Sequence, residues 1–406
     1  MWKLATHFMS REEMNRDLIL LLVIGGLYSL GIFLSNTFVN VFLWRQTNDF
    51  MTIAIYNLAI FIFQPITFII AGKLAKKVDR IIVLRLGVTF LSVFFLTVLL
   101  IGERAAKYNF LLGCLLGVGY GFYWLAFNVL TFEITEPETR DFFNGLMGGL
   151  ESLGGMIGPV VAGAIIGKLP TNLGYTTIFS ISFSLFILAV IGSFFLKRRK
   201  AKGKYGLSIV LKEIKENENW KNVIQANVFQ GMREGLFVFV VTIWIFLITK
   251  SEFALGIFNL CLSGLSFIFY LVVTKIVQPR MRKKAIFFGS LIISFSVFVI
   301  LFDPTYVHLI IYAVIVGIGY PIIIVPFNSM AYDVIGTCNY AKKLRIEYVV
   351  ALEIFVNIGR VVAIVIFIFS LLIFKDTKPI PVLLAIFSHA YFLIFVFMNR
   401  VRLVYK

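Results

Sequence analysis

The apolar residues of this chain fall into long runs separated by short polar stretches. A helix that spans the roughly 30 Å of bilayer hydrocarbon needs about 20 apolar residues, and it satisfies its own backbone hydrogen bonds. Twelve runs meet this description, at residues 17–44, 50–72, 82–101, 109–132, 142–167, 172–196, 222–249, 253–274, 285–302, 307–332, 346–374 and 380–399. The pattern predicts an all-α membrane protein with twelve transmembrane helices.

One apolar stretch occurs twice. From Gly117 the sequence reads GVGYGFYWLAFNVLTFE, and 200 residues later, from Gly317, it reads GIGYPIIIVPFNSMAYD. Flanking segments repeat at nearly the same offset, which argues against a resemblance by composition alone. Membrane carriers are commonly built from two such repeats with the cargo site between them. We therefore predict two pseudo-symmetric six-helix bundles, 1–197 and 222–406, joined by a basic cytoplasmic linker at 198–221.

The chain carries a formal net charge of +17, although only 15% of its residues are charged. Basic residues concentrate in alternate loops, at 73–80, 197–204, 275–284 and 400–406, and the intervening loops hold few. This is the positive-inside pattern of cytoplasmic loops. It predicts a multi-pass protein of the cytoplasmic membrane with both termini in the cytoplasm. The charge is then a topology signal and an attraction to the lipid bilayer, and we expect no nucleic-acid partner.

The sequence offers little for enzyme or metal chemistry. Its three histidines are scattered, and its three cysteines include no pair suited to a disulfide on the outer side. No nucleophile elbow, zinc-binding HExxH motif or phosphate-binding loop is present. We therefore expect a protein that is not an enzyme and that binds no cofactor and no metal. We also expect a monomer.

The most costly charged pair within the apolar runs is Arg233 and Glu234, in the seventh run. Ionisable residues inside a membrane span mark functional sites by default, so this pair ranks first among the candidates. Arginine suits bidentate capture of a carboxylate, sulfate or phosphate group. Neighbouring helical residues point about 100° apart, so Arg233 is expected to meet an acid on another helix or the cargo. Glu234 neutralises it or takes a coupling proton, and a structural salt bridge along the central seam is the alternative.

Two further acids recur at equivalent places. Glu151 in the fifth run and Glu353 in the eleventh are 202 residues apart. A carboxyl group that faces a low-dielectric cavity holds its proton more firmly, as a proton-coupling acid needs. The alternative is a structural ion pair near the cytoplasmic rim, for example with Arg140 or Arg345.

The first run contains two amides, Asn36 and Asn40, on one face of the predicted helix. An amide in hydrocarbon is costly unless it is paired, so this face is expected to turn toward the bundle or a watery cavity. Hydrogen bonding between helices is an equally open interpretation.

The loop after the second run, GKLAKKVDR, resembles the cytoplasmic loop motif of the major facilitator superfamily, GxLxDxxGRR. Gly72, Leu74 and Arg80 fit the motif, whereas Lys76 stands at its aspartate and Asp79 at its glycine. In the family this loop latches the two halves together in one access state. The resemblance implies a conformational role for Gly72, Asp79 and Arg80, in a loop that lacks the family's acid.

The fifth run, NGLMGGLESLGGMIGPVVAG, is similar to the antiporter signature of the same superfamily, in which spaced glycines precede GPxxGG. Small residues let helices approach closely, and proline bends a helix. A general packing face is therefore the alternative to an antiporter motif. The matching positions are Gly145, Gly154, Gly158, Pro159 and Gly163.

Across the whole chain, the resemblance implies alternating access around a central cavity between the first, fourth, seventh and tenth helices. The leading expectation is a secondary transporter that exports a small organic or amphipathic solute in exchange for protons. The fourth run lacks the RxxQG motif of proton-linked members, since Gly113 and Leu116 occupy its arginine and glutamine positions. An uncoupled facilitator or flippase for a sugar, amphiphile or lipid head group is therefore the alternative. The residues expected to line the cavity are Asn36, Asn40, Tyr120, Asn128, Arg233, Glu234, Tyr320 and Asn328.

Overall fold

The computed structural model describes residues 16–134, 137–197, 203–302, 304–374 and 379–403, without the side chains of 132–145. This part of the chain is helical and contains no strand. Eleven of its segments are long and apolar enough to cross a membrane. The longest, Arg80–Thr131, holds parts of two helices joined by a 3-10 turn at Gly102–Tyr108. The predicted twelve spans and the all-α fold are therefore confirmed.

The spans are labelled α1 to α12 in chain order. Two of them, α9 and α12, are each interrupted once, at Val297 and His389. A separate helix, Leu207–Glu216, precedes α7 and is called the linker helix. The bounds are α1 Arg16–Thr47, α2 Phe50–Lys77, α3 Arg80–Ile101, α4 Asn109–Ile134, α5 Pro137–Lys168, α6 Thr171–Ser193, α7 Glu218–Thr249, α8 Glu252–Ile276, α9 Pro279–Leu301, α10 Tyr306–Thr337, α11 Arg345–Phe374 and α12 Pro379–Arg400.

Polar caps set where several spans begin. The Asp79 side chain accepts a hydrogen bond of 2.8 Å from the backbone N–H of Ile81 at the start of α3. Asn217 accepts one of 3.1 Å from Trp220. Such a cap satisfies N–H groups that the first helical turn leaves without partners. Because of this cap, α7 begins at Glu218, four residues before the apolar run that predicts it.

The two halves have the same internal packing. In the first half α1 packs against α5 and α6, α2 against α4, and α3 against α4 and α6. In the second half α7 packs against α11 and α12, α8 against α10, and α9 against α10 and α12. Each pair of the first set becomes a pair of the second when six spans are added. The fold is therefore two pseudo-symmetric six-helix bundles, as the sequence repeat predicts.

Side-chain exposure repeats as well. The pattern of buried, intermediate and exposed residues along 111–130 recurs along 311–330 and differs at only three positions, 122, 124 and 125 against 322, 324 and 325. The repeated stretch therefore occupies the same environment in both halves, on α4 and on α10.

Two helix pairs join the halves along a seam, α2 with α11 and α5 with α8. Glycine brings the second pair close together. A Cβ atom on Gly256 would lie 2.6 Å from the carbonyl oxygen of Pro159, and one on Gly163 would lie 2.5 Å from that of Glu252. Small residues at such contacts let the backbones of membrane helices touch.

An ion pair bridges the halves near each end of the seam. At one end, Lys76 Nζ lies 2.5 Å from Glu347 Oε1, where the linker helix begins; we call this the linker end. At the opposite end, called the far end, Arg45 Nη2 lies 2.7 Å from Glu252 Oε1. The same Glu252 oxygen accepts a hydrogen bond of 2.9 Å from Tyr175 Oη.

Candidate functional site

A cavity of about 570 Å³ lies between the two halves. Its wall comes from α1, α2 and α4 of the first half and from α7, α8, α10 and α11 of the second. The four helices expected around a central cavity are all present, and α2, α8 and α11 complete the wall. The volume falls within the range of binding sites for small organic molecules.

The cavity occupies the half of the bundle nearer the far end. On α2, whose last residue lies at the linker end, the wall residues fall within 56–64. The wall residues nearest the linker end on α1, α4 and α10 are all aromatic and form a floor: Tyr28, Trp124 and Tyr320. Tyr28 also stacks on Tyr123, with ring centroids 3.7 Å apart and planes inclined by 4°. On these three of the seven wall helices, aromatic side chains therefore lie between the rest of the cavity and the linker end.

The wall contributed by the first half carries neutral amides. Asn36 and Asn40 line it as predicted, together with Asn57 and Gln64 of α2. Asn57 Nδ2 donates hydrogen bonds to Asn40 Oδ1 at 2.8 Å and to the carbonyl oxygen of Ile53 at 2.9 Å. Asn40 thus belongs to an interhelical bond and to the cavity wall at once, which unites the two interpretations. Two amides seven residues apart in the second apolar run are the signal that could have identified Asn57 and Gln64.

Arg233 of α7 is buried on the wall of the second half, with 5% of its surface exposed. Its Nη2 atom donates a hydrogen bond of 3.1 Å to Tyr312 Oη. Its guanidinium carbon lies 4.4 Å from the ring centre of Phe237 and 4.8 Å from that of Tyr391. Among the described residues no acid forms a salt bridge with it, and its Nε atom is buried without a hydrogen-bond partner.

Glu234 is paired with a different arginine. Its Oε2 atom lies 2.6 Å from Nη2 and 3.2 Å from Nε of Arg360 on α11. Its Oε1 atom accepts hydrogen bonds from Gln230 at 2.9 Å and from Tyr391 at 3.3 Å. Arg360 also lines the cavity, although sequence reasoning did not place it there. An arginine inside the eleventh apolar run, which needs an acid on another helix, is the signal that could have found it.

Glu151 and Glu353 lie off the cavity wall. Neither forms a salt bridge with a residue that the structure describes, and the side chain of Arg140, one predicted partner, is outside the described part. Glu151 lies close enough to Tyr28 and Tyr270 to interact with them electrostatically. Glu151 therefore lies beside the floor. Glu353 precedes Arg360 by seven residues on α11, toward the linker end, and interacts electrostatically with Arg360 and Glu234.

Asn128 and Asn328 also lie off the wall, although they are expected to line the cavity. Both are exposed, and Tyr120 and Tyr320, eight residues earlier on the same helices, do line it. Eight residues advance a helix by about 12 Å. Each asparagine therefore lies past the aromatic floor, toward the linker end. The sequence repeat shows that the two positions are equivalent on their helices, but it does not show how deep in the bundle they lie.

The loop that resembles the family motif joins the halves with a basic residue. Lys76 Nζ donates to Glu347 Oε1 and to the carbonyl oxygens of Lys204 and Lys343, both at 3.3 Å. Gly72 faces the linker, since a Cβ atom there would lie 2.9 Å from the ring of Tyr205. The ion pair at this loop thus joins a loop lysine to an acid on α11. Asp79 caps α3, and Arg80 is the first residue of that helix.

The small residues of the α5 motif form a two-sided packing face. Cβ atoms on Gly154 and Gly158 would lie 3.2 Å and 2.9 Å from atoms of Phe33 on α1. On the other side, Pro159 and Gly163 meet α8 across the seam. The motif therefore holds α5 between a helix of its own half and a helix of the other. The side-chain surroundings of residue 145 are outside the described part.

The chain matches the family model described as Major Facilitator Superfamily over residues 21–364. It is 53% identical over 390 residues to "Uncharacterized protein YqgE" of Bacillus subtilis (strain 168), spanning 96% of this chain and 91% of that protein. A Geobacillus stearothermophilus protein, "Uncharacterized protein in sodM 3'region", is 60% identical over 194 residues, which cover 48% of this chain and 91% of that protein.

The fold is similar to that of FucP, the fucose:proton symporter of E. coli. One FucP crystal structure superposes with a TM-score of 0.66 and 15% identity, covering 95% of this chain and 98% of FucP. Another, in the outward conformation, gives a TM-score of 0.67 and 15% identity, covering 96% and 99%. At this identity the likeness shows a shared fold.

Proposed function

Because the chain belongs to the major facilitator superfamily, we propose that it moves a small organic or amphipathic solute across the cytoplasmic membrane by alternating access, with the central cavity as its cargo site. The observation that carries the proposal is the shared wall: three helices of one half and four of the other enclose the same chamber. A cargo bound there touches both halves. A change in their relative orientation then changes the side to which the cargo is exposed.

The two halves, 1–197 and 222–406, act in this proposal as two bodies joined by the linker at 198–221. The basic loops and both termini face the cytoplasm, so the linker end is the cytoplasmic end. The cavity in the far-end half then belongs to a state closed toward the cytoplasm, with Lys76 and Glu347 as part of the closure. Asn128 and Asn328, past the floor, line the path in the opposite state. One chain encloses the whole cavity, which supports a monomer.

The proposed driving force is exchange for protons, with the solute exported. Glu234 is the first candidate for the coupling acid, because its salt bridge with Arg360 needs an ionised carboxylate. A proton on Glu234 removes that attraction and releases Arg360. Glu151 beside the floor and Glu353 on the linker side of Arg360 offer further carboxylates toward the cytoplasmic side. The likeness of α5 to an antiporter signature, at Gly154, Gly158 and Pro159, supports exchange rather than cotransport.

An uncoupled facilitator or flippase is the second candidate, and one contact favours it. Gly113 occupies the position of the arginine in the family's RxxQG motif, and a Cβ atom there would lie 2.3 Å from the carbonyl oxygen of Tyr56. No side chain fits between α2 and α4 at this point. The chain therefore lacks both that arginine and the space for it. For this second candidate, the cargo is a sugar, an amphiphile or a lipid head group.

The test is flux into proteoliposomes under an imposed pH gradient, screened over organic anions, sugars, cationic amphiphiles and fluorescent lipids. Arg233→Ala and Glu234→Gln are measured beside the wild type. Arg280→Gln and Glu216→Gln, both exposed and far from the cavity, are matched controls. We expect gradient-driven flux that is lost in the first two variants and kept in the controls.

Other outcomes decide between the candidates. Flux that ignores the pH gradient favours the facilitator. Unchanged flux in both cavity variants removes the proposed site. A solute that binds but never crosses the membrane, for every cargo class, contradicts transport altogether and indicates a receptor.

A further inference from the structure

We infer that the cargo, on the proposed transport function, is an organic monoanion whose acidic group is bound by Arg233. Among the described residues this arginine has no acidic partner. A buried guanidinium is costly unless an acid or hydrogen bonds compensate it. Glu234, the next residue, is bound to Arg360, and no other acid of the described residues forms a salt bridge with Arg233.

The protein holds this guanidinium group in place but does not satisfy all of its hydrogen-bond donors. Tyr312 takes one hydrogen bond from Nη2, and the rings of Phe237 and Tyr391 lie against the guanidinium group. Aromatic faces attract a cation but accept no conventional hydrogen bond. Nε is therefore buried without a hydrogen-bond partner among the described residues. A carboxylate, sulfonate or phosphodiester oxygen is the acceptor that such a group binds best.

The charges on the cavity wall set the charge of the cargo. Three charged side chains line it, Arg233, Glu234 and Arg360, and these comprise two arginines and one acid. Glu151 and Glu353 lie off the wall. A single negative charge on the cargo balances the wall. A second negative charge would face Glu234, which already accepts three other groups.

The remaining wall describes the body of the cargo. In the part of the wall that the first half contributes, Asn36 and Gln64 offer amides that can donate and accept hydrogen bonds. Trp124 and Tyr320 on the floor offer aromatic surface. A ring or short apolar chain with one acidic group matches both surfaces. The acid can belong to a soluble carboxylate or to the head group of an anionic lipid, and binding assays separate these sources.

The test compares probes that differ only in charge. Purified protein in lipid-free neutral detergent is titrated with 2-naphthoate, 2-naphthamide and 2-naphthylmethylamine, and separately with short-chain phosphatidylglycerol and short-chain phosphatidylcholine. Binding is measured by calorimetry and by the shift in unfolding temperature. We expect one of the anions to bind at least about tenfold more tightly than its uncharged or zwitterionic partner, as a hydrogen bond to a charged group implies.

Variants assign the binding to the arginine. Arg233→Gln should abolish the preference for the anion, Arg233→Lys should keep part of it, and Arg280→Gln should leave it unchanged. The lysine variant and the unfolding temperature of each unliganded variant control for loss of folding. Preference for naphthoate identifies a soluble acid, and preference for phosphatidylglycerol identifies a lipid.

Three results overturn the inference: equal binding of the amide or amine, anion binding that survives in Arg233→Gln, or no binding of any anion in either series. These results are separate from the fate of the transport function. Flux of a neutral solute with no anion preference leaves transport standing and removes the inference. Anion binding through Arg233 without flux leaves the inference standing and removes transport.

Discussion

Lys76 and Glu347, 271 residues apart, form a 2.5 Å salt bridge that ties α2 of the first half to α11 of the second. Both side chains are buried, and the Glu347 oxygen also accepts a hydrogen bond of 2.9 Å from the backbone N–H of Gly206 at the start of the linker helix. Two halves and the linker therefore meet at one carboxylate. In the family's loop motif the acid lies in the loop itself, and here it lies on the partner helix.

Breaking this pair should destabilise the closed linker end. Removing one partner leaves a buried charge uncompensated, at a cost of roughly 3–5 kcal/mol. We expect Lys76→Met and Glu347→Gln each to lower the unfolding temperature, and the double variant to recover part of the loss. Thermal unfolding in detergent measures this coupling. If the double variant lowers the unfolding temperature by the sum of the two single effects, the interaction between Lys76 and Glu347 contributes nothing to stability.

The salt bridge between Glu234 and Arg360 should behave differently in folding and in transport. Each side chain is 19% exposed, so the cost of losing one partner is below that of a fully buried pair. We expect Glu234→Gln and Arg360→Gln to reduce stability moderately, and the double variant to regain stability without regaining flux. Unfolding temperature and proteoliposome flux are measured on the same samples. Recovered flux in the double variant would assign the pair a purely structural role.

The contact between α7 and α11 should tolerate no added methyl group. A Cβ atom on Gly359 would lie 1.9 Å from the carbonyl oxygen of Val228, a backbone atom that cannot move aside cheaply. Overpacking of this kind costs roughly 1–3 kcal/mol. We expect Gly359→Ala to lower the unfolding temperature by several degrees. Gly336→Ala is the control, because no atom lies within 4 Å of its added Cβ; an equal effect in both variants would contradict the packing argument.

Cysteine labelling should reveal which end of the cavity is open. Thr242 lines the cavity and Asn328 lies past its floor, so a cysteine at each position reports a different end. The three native cysteines are free and are first replaced by serine. With the linker end in the cytoplasm, a membrane-impermeant maleimide added to intact cells should label Thr242→Cys, and should label Asn328→Cys only after permeabilisation. The reverse result would invert the proposed orientation.

The sequence predicts the spans and the two-fold relationship because both depend on local information. A run of apolar residues is recognisable wherever it lies, and a repeated stretch such as that of Gly117 and Gly317 needs only comparison with itself. The prediction that Arg233 and Glu234 share a cavity also follows locally, since charges in a span avoid lipid.

Partner choice could not be predicted, because it depends on the rotation and depth of other helices. Glu234 pairs with Arg360, and Lys76 with Glu347, across 126 and 271 residues of sequence. Neither sequence separation follows from a pattern that the sequence shows. The predicted positions of Asn128 and Asn328 on the cavity wall differ from the observed ones for the same reason, because the sequence does not give their depth in the bundle. Helical periodicity gives the face of the helix on which a residue lies. Only the packed bundle shows at which depth that face borders the cavity.

The two halves contribute unlike parts of the cavity wall: neutral amides on α1 and α2, and arginines on α7 and α11. Electrostatically, the positive charge of the chamber is therefore confined to the part of the wall that the second half contributes. In the proposed transport, we expect a solute with one acidic end to enter with that end toward α7 and α11 and to keep this orientation through the cycle.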